Sequence, residues 1–441
     1  CKCCNDKIRT TDSNTTNLFN HLKRKHPKEY AESQILKGPH ASTSPETTYF
    51  SQDHTGEVIA QGLRDALECW GLKEANMTCM TTDSGANMVK ALELNSWTRL
   101  QCFGHRLHLA IEKSAKDPRV ERATSVCKKV VSTFSFSWKK KREPSNAQAE
   151  LKLPQQKLIT ESPTRWGSRL SMIERVLDQE KAIFQVEGRQ EGKAFGPIMD
   201  VDVMESVKKA LSPLRDFTDA LSGEDYLSVS YVKPVLHMLK VNILSLNDED
   251  TELTKTMKTT ILNYLTDKYQ DPTTDDLLDM ASLFNPRFKT QFIAKDKVEG
   301  IQTRAVAELE SLMTIHIQHP KSDQQSTSNT SASTSQILDE DQTPPKKAKK
   351  KISSFLKALE GELKGYLSTP NAESEVDPLE WWKVHEANFP RISQLARKYI
   401  CIPATSAPSE RAFSTGGNIV TCQRASLKPE KVNQLVFLSK N

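Results

Sequence analysis

The sequence predicts an α/β core broken by a large all-α segment and preceded by a small, metal-stapled N-terminal unit. Three observations carry this. Helix-period and strand-period patterns alternate between Thr55 and Lys116, the signature of strand-turn-helix units. From about Ser125 to Leu367 the strand signals give way to amphipathic helical patterns such as SRLSMIERVLDQEKAIFQV and YVKPVLHMLKVNILSL. The first 30 residues gather cysteines and histidines at metal-ligand spacing.

The bounds agree with several domains rather than one. A chain of 441 residues exceeds what one ordinary core holds. Charged residues make up 27% and the net charge is +5, a mild basic excess that favours polyanions only where it is clustered. No apolar run reaches the ~20 residues needed to span a bilayer, and CKCCNDKIRT has no apolar stretch of a secretory leader. A soluble intracellular chain with no membrane partner is expected. Nine cysteines are too sparse for a disulfide scaffold, so the clustered ones read as metal ligands. The chain opens on a cysteine rather than Met, which reads as a fragment or an incomplete gene model.

Within residues 1–30, Cys1 and Cys4 have the two-residue gap of a zinc knuckle, with Cys3 a possible substitute for Cys1. His21 and His26 follow on a segment that Asn14 or Thr15 can cap and Pro27 ends. Leu18, Phe19 and Leu22 give it an apolar face. Two thiolates and two imidazoles suit the four N/S ligands of Zn²⁺. So short a unit has no core of its own, and the metal would supply its folding energy. Lys23, Arg24, Lys25 and Lys28 crowd the same helix end. On a zinc-held helix such a cluster suits phosphate contacts to DNA. As a plain charged face it would only solvate the helix.

A Pro/Ser/Thr linker, 31–49, leads to a helix at Thr55–Trp70 striped by Val58, Ile59, Leu63, Ala66, Leu67 and Trp70. Met77 to Thr82 then read as a short buried strand. It ends at Asp83 in TTDSGANMVKAL. A carboxylate there either caps the next helix or faces a site at a strand end. The unit TRLQCFGHRLHLAIEKSAK repeats the strand-to-helix pattern, with Cys102, His105 and His108 around the junction. Farther on, the polar low-complexity stretch from Lys321 runs into Lys346, Lys347, Lys349, Lys350 and Lys351, and 320–351 is expected to be disordered. That basic run is a candidate nuclear-import patch. Trp381, Trp382, Phe389 and Leu395 most simply fill a core. Pro408 suits the first turn of a helix carrying Glu410, and Val432, Leu435, Val436 and Leu438 stripe a last helix.

The quoted runs NLFNHLKRKHP, TTDSGANM, CFGHRLHLAI, TRWGSRLSMIERVL, ASLFNPRFK, WWKVHEANFPRISQLARKYICIPATSAPSERAFS and KPEKVNQLVFLSKN together resemble the hAT-superfamily transposases. They resemble most the domesticated zinc finger BED domain proteins derived from those enzymes. The resemblance runs in order along nearly the whole chain and is most specific in its last ~60 residues, counted from the Trp pair. It implies a partial BED finger at 1–30 and an RNase H-like core in two parts, 50–124 and 368–441. An all-α insertion at 125–367 separates the parts, and the C-terminal part also dimerises.

In the active family two aspartates and a glutamate hold divalent metal for phosphodiester chemistry. Asp83 matches the second aspartate, Glu410 the glutamate, and Cys102 and His105 the Cys-x-x-His motif that supports contact with the DNA end. The first aspartate and its strand have no counterpart, since Asp53 lies in a loop, so the core is incomplete on its N-terminal side. The resemblance implies a nuclear, zinc-dependent, DNA-binding homodimer without enzymatic activity, with a role in transcription regulation. The alternative is an active transposase whose sequence here is partial, in which Mg²⁺ would join the zinc. A regulator acting through protein contacts alone requires an inert finger.

Overall fold

The computed structural model describes residues 53–74, 77–135, 138–162, 166–187, 199–223, 227–318 and 346–420, with 427, 431–432 and 434–436. Cys1, Cys4, His21, His26 and the basic residues Lys23, Arg24, Lys25 and Lys28 lie outside the described residues, as do the linker and Leu438.

The described chain is dominated by helices and falls into two compact units. Unit 1 is drawn from 1–106, 218–225 and 405–441, and unit 2 from 107–217 and 226–404. Those divisions fall at 106/107 and 404/405, whereas the sequence reading bounds the helical segment at 125 and 367.

Unit 1 opens with α1 (Gly56–Cys69), where the apolar stripe requires a helix, and Thr55 Oγ1 accepts the Val58 N–H at its start. Next come β1 (Met80–Thr82), α2 (Ala86–Leu94) and β2 (Arg99–Gln101). The strands pair in parallel, with Met80 opposite Arg99 and Thr82 opposite Gln101, so β1-α2-β2 is the crossover that parallel strands require. The strand expected over Met77–Thr82 is only three residues long and half-buried, because its one partner among the described residues is equally short. α1 packs on α2. Gly56 is buried there, and a Cβ on it would come within 2.6 Å of Lys90 Cγ, so this contact requires glycine. Asn95 Nδ2 donates to the Ala60 carbonyl at 3.1 Å and Asn87 Nδ2 to the His54 carbonyl at 2.7 Å. Helix α3 (Phe103–Ser114) starts directly after β2, and the division between the units falls within it.

Unit 2 contains α4 (Pro118–Ser135), α5 (Trp138–Glu150), α6 (Trp166–Asp178), α7 (Glu180–Glu187), most of α8 (Val201–Gly223), α9 (Val232–Met238), α10 (Glu252–Tyr269), α11 (Pro272–Phe284), α12 (Val298–Gln318), α13 (Lys346–Ser368), α14 (Pro378–His385) and α15 (Ile392–Ile400). Lys346 to Lys351, expected at the end of a disordered segment, form the first turns of α13, while the preceding part of that segment lies outside the described residues. Lysine and alanine favour helix, and KKAKKK continues without a break into the amphipathic ISSFLKALEGELKGYL.

The centre of unit 2 is aromatic. Trp382 is 1% exposed, its ring 4.8 Å from that of Tyr366 and 5.0 Å from that of Trp381. Trp382 Nε1–H donates to the Phe284 carbonyl at 2.7 Å, and Tyr366 O–H to the Leu283 carbonyl at 3.0 Å, which satisfies the end of α11. Lys289 performs the same service for α13, donating to the carbonyls of Tyr366 and Pro370.

A buried ion cluster ties α10 to α8. The Asp250 side chain is fully buried, 2.7 Å from Lys258 Nζ and 3.1 Å from Lys209 Nζ, and it accepts the Asn247 N–H at 3.1 Å. Burial pushes this carboxyl up, but the donors outweigh it and hold it at about 2, below the ordinary 3.8. A carboxyl lowered in the folded state stabilises above its unfolded value, and that stability disappears as pH falls from 3.8 to about 2. Asp250→Asn is therefore expected to cost roughly 2 kcal/mol at pH 7 and to flatten the acid limb of stability. Urea titrations between pH 5 and 2 measure both. An acid limb as steep in the variant as in the wild type contradicts the assignment.

Candidate functional site

Asp83 stands where β1 ends, exposed, on the turn that opens α2. It does not cap that helix. Gly85 holds the N-cap position, and α2 has no side-chain cap. Asp83 Oδ1 instead accepts the Gly85 N–H at 3.1 Å, an Asx turn that folds the carboxylate back over its own backbone. A Cβ on Gly85 would sit 3.2 Å from that oxygen, so the small residue leaves room for the carboxylate.

Arg99, the first residue of β2, holds this turn from the neighbouring strand. Its Nε–H donates to Thr82 Oγ1 at 2.9 Å, and its terminal N–H groups reach the Asp83 carbonyl and Ser84 Oγ. Burial and then the repulsion of Arg106 lower the proton affinity of Arg99, while Asp83 and Glu93 oppose them. It stays cationic at any working pH. Arg99 escapes the sequence reading. Its signal is position alone: an arginine that opens the strand paired with the Asp83 strand.

The second carboxylate joins the first through a chain of contacts inside unit 1. The Thr82 carbonyl, one residue before Asp83, accepts the Cys102 N–H at 2.8 Å. Cys102 is buried, and its Sγ accepts the Ser406 N–H at 3.2 Å. Ser406 is the N-cap residue of α16 (Ala407–Ile419), which has Pro408 in its first turn. Its Oγ donates to Glu410 Oε1 at 2.8 Å, and the Glu410 N–H returns to the Ser406 carbonyl at 3.0 Å. The predicted Asp83, Cys102 and Glu410 are thus linked through Thr82 and Ser406. His105 is half-buried on the first turn of α3. The Ser-Ala-Pro start of α16 is the sequence signal that could have singled out Ser406.

The lead-in to α16 is fixed within unit 2. The Val229 N–H donates to the Ile402 carbonyl, the Ala404 N–H to the Leu227 carbonyl, and Ser228 Oγ to the Ile400 carbonyl at 2.8 Å. Buried Asn285 from the NPRFK turn donates through Nδ2 to Ser230 Oγ at 2.8 Å, and Ser230 Oγ to Ser228 Oγ at 3.1 Å. From sequence, CIPATSAP reads as an extended entry to the helix. Here Pro403 makes an antiparallel bridge with Ser228.

The donor set can be tested against metal. Asp83 and Glu410 are two carboxylates, both accepting hydrogen bonds from their own chain. Among the described residues no three His, Cys, Asp or Glu side chains are grouped. The described residues therefore do not supply a two-ion clamp. Asp53 is exposed, and its carbonyl accepts the Thr55 N–H ahead of α1. Of the stripe expected on a last helix, Leu435 and Val436 are buried in the chain itself. Among the described residues, no helix is long and apolar enough to cross a membrane.

The class comes first from the C-terminal part: residues 362–441 match the hAT family C-terminal dimerisation region. Over 411 residues, 91% of the chain, the sequence is 26% identical to Zinc finger BED domain-containing protein 4 of Homo sapiens. It is 22% identical over 415 residues, 87% of the chain, to Zinc finger BED domain-containing protein 6 of Mus musculus. It is 28% identical over 204 residues, 44% of the chain, to Transposable element Hobo transposase of Drosophila melanogaster. The aligned parts are 34%, 42% and 29% of those proteins, so the chain spans well under two thirds of their lengths. The chain carries a hAT dimerisation region and is homologous to BED zinc finger proteins and hAT transposases, which supports a hAT-derived protein of BED type.

Proposed function

We propose that this chain is a nuclear, zinc-dependent DNA-binding protein that dimerises through its C-terminal region and acts in transcription regulation without cutting or joining DNA. The observation that carries this is the likeness to a BED zinc finger protein over 91% of the chain, which ends in a hAT dimerisation region. Cys1, Cys4, His21 and His26 would hold Zn²⁺, whose chemistry suits two thiolates and two imidazoles. Lys23, Arg24, Lys25 and Lys28 would then meet phosphates. Lys346, Lys347, Lys349, Lys350 and Lys351 are the import candidates.

Asp83 and Glu410 each accept one hydrogen bond from their own chain, from Gly85 and Ser406, and among the described residues no third metal-donor side chain is grouped with them, which supports a reading without chemistry. Cleavage of terminal-repeat DNA with Mg²⁺ or Mn²⁺ is the test, run on the wild type, Asp83→Asn and Glu410→Gln. The wild type is expected to give no more product than either variant. Cleavage by the wild type that both substitutions abolish overturns this reading and makes the chain an enzyme. The contact chain joining Asp83 to Glu410 within one unit, together with the Hobo transposase alignment, keeps that second reading alive.

A further inference from the structure

Helix α16 has 13 residues, none of them fully buried; its partial cover falls on Ala407, Pro408, Ala412, Thr415, Gly416 and Ile419, a weaker packed face than normally stabilises a helix of this length. Phe413 at its middle is 81% exposed and Val420 at its end 44%. Gly416 and Gly417, three and four residues on from Phe413, share its face of the helix. A Cβ built on either would meet nothing within 4 Å. Adjacent glycines weaken a helix, and among the described residues no close contact at either Cβ position requires them. An aromatic knob thus stands beside a notch open to solvent. The whole helix lies inside residues 362–441, the stretch that matches a dimerisation region, so the occupant is a second copy of this chain. A two-fold axis makes such a contact self-complementary, because the knob of each copy meets the notch of the other.

We infer that the face of α16 formed by Phe413, Gly416 and Gly417 is a dimer contact, with each Phe413 seated in the glycine notch of its partner. This rests on the proposed dimer and names the surface that makes it. A single helix face covers less than the ~800 Å² per partner of a standard interface, so Phe413 acts as an anchor within a larger contact.

Sedimentation velocity over a concentration series of the full chain tests this with Phe413→Ser, Gly417→Leu and Leu72→Ser. Gly417→Leu adds bulk at a position whose Cβ meets nothing within 4 Å and improves helix propensity, so it is expected to fold as well as the wild type. Leu72 is 55% exposed and lies outside the matched region. Removing the anchor or filling its notch is expected to weaken association about 30-fold, the value of one buried aromatic side chain, while Leu72→Ser dimerises like the wild type. A wild-type dimer left unchanged by Gly417→Leu overturns the inference and leaves the dimer standing. A wild type that is monomeric throughout overturns both.

Discussion

Trp382→Ala is expected to destabilise the helical unit by about 4 kcal/mol, the upper range for a buried aromatic truncated in a packed core. The ring is 1% exposed and lies against Tyr366, Trp381 and Phe389, so its loss leaves a cavity walled by other rings that cannot collapse freely. A second cost is polar. The Phe284 carbonyl at the end of α11 loses the Nε1–H donor that reaches it at 2.7 Å. Trp382→Phe separates these contributions, since it keeps most of the volume but not the donor, and is expected to cost about half as much. For a unit of this size each kcal/mol lowers the melting temperature by about 2–4 °C, so the alanine variant should melt about 10 °C lower. Trp381→Ala is the comparison: that ring is half-buried and stacks on His385 at 3.8 Å, and it should cost less than Trp382→Ala. Equal melting shifts for the two tryptophans contradict the assignment of Trp382 as the centre.

The Trp pair is legible in the sequence because two adjacent tryptophans have few uses besides filling a core or an interface. The stripe of α1 is legible for a similar reason: Thr55 and Trp70 bracket a helical period with a cap at its start. Strand length is not. MTCMTT reads as a strand by composition, but the number of residues that pair is set by the partner, and β2 offers only three. Asp83 shows a different limit. An aspartate two residues before glycine at a helix start satisfies the pattern of an N-cap, yet the Asx turn onto Gly85 takes its oxygen. Sequence gives the residue types and their spacing, while the turn geometry decides which N–H the oxygen meets. The C-terminal stripe shows a third limit. Periodicity identifies an apolar face but not whose surface it meets, and Leu435 and Val436 meet their own chain while Phe413, one aromatic in a Ser/Gly-rich helix, remains outside. The basic run at Lys346 shows a fourth limit, since its amphipathic pattern begins only after it while the helix already includes it.

Removing Zn²⁺ from the full chain is expected to lower its affinity for DNA by more than about a hundredfold while leaving the melting of the helical unit unchanged. The two effects separate because the ligands and the core are different residues. On the proposed function Cys1, Cys4, His21 and His26 hold Zn²⁺ within ~30 residues too few for a core of their own, so the free energy of metal binding would also be the folding free energy of that segment. Without the proposed metal, Lys23, Arg24, Lys25 and Lys28 would no longer be held together, and each phosphate contact would have to order its own stretch of chain before it gained anything. Trp382, Tyr366 and Phe284 need no metal, and no group of three metal donors stands among the described residues. Fluorescence anisotropy on duplex DNA with zinc, with a chelator, and with zinc restored measures the loss and its recovery. Cys4→Ser should reproduce the chelated state and resist rescue by zinc. Arg24→Gln, which removes one positive charge and keeps the ligands, should weaken binding modestly and reduce its salt dependence. DNA affinity that survives both chelation and Cys4→Ser would mean that the finger is not the DNA-binding element, and attention would pass to the basic start of α13, where Lys346→Gln with Lys347→Gln is the next substitution to make.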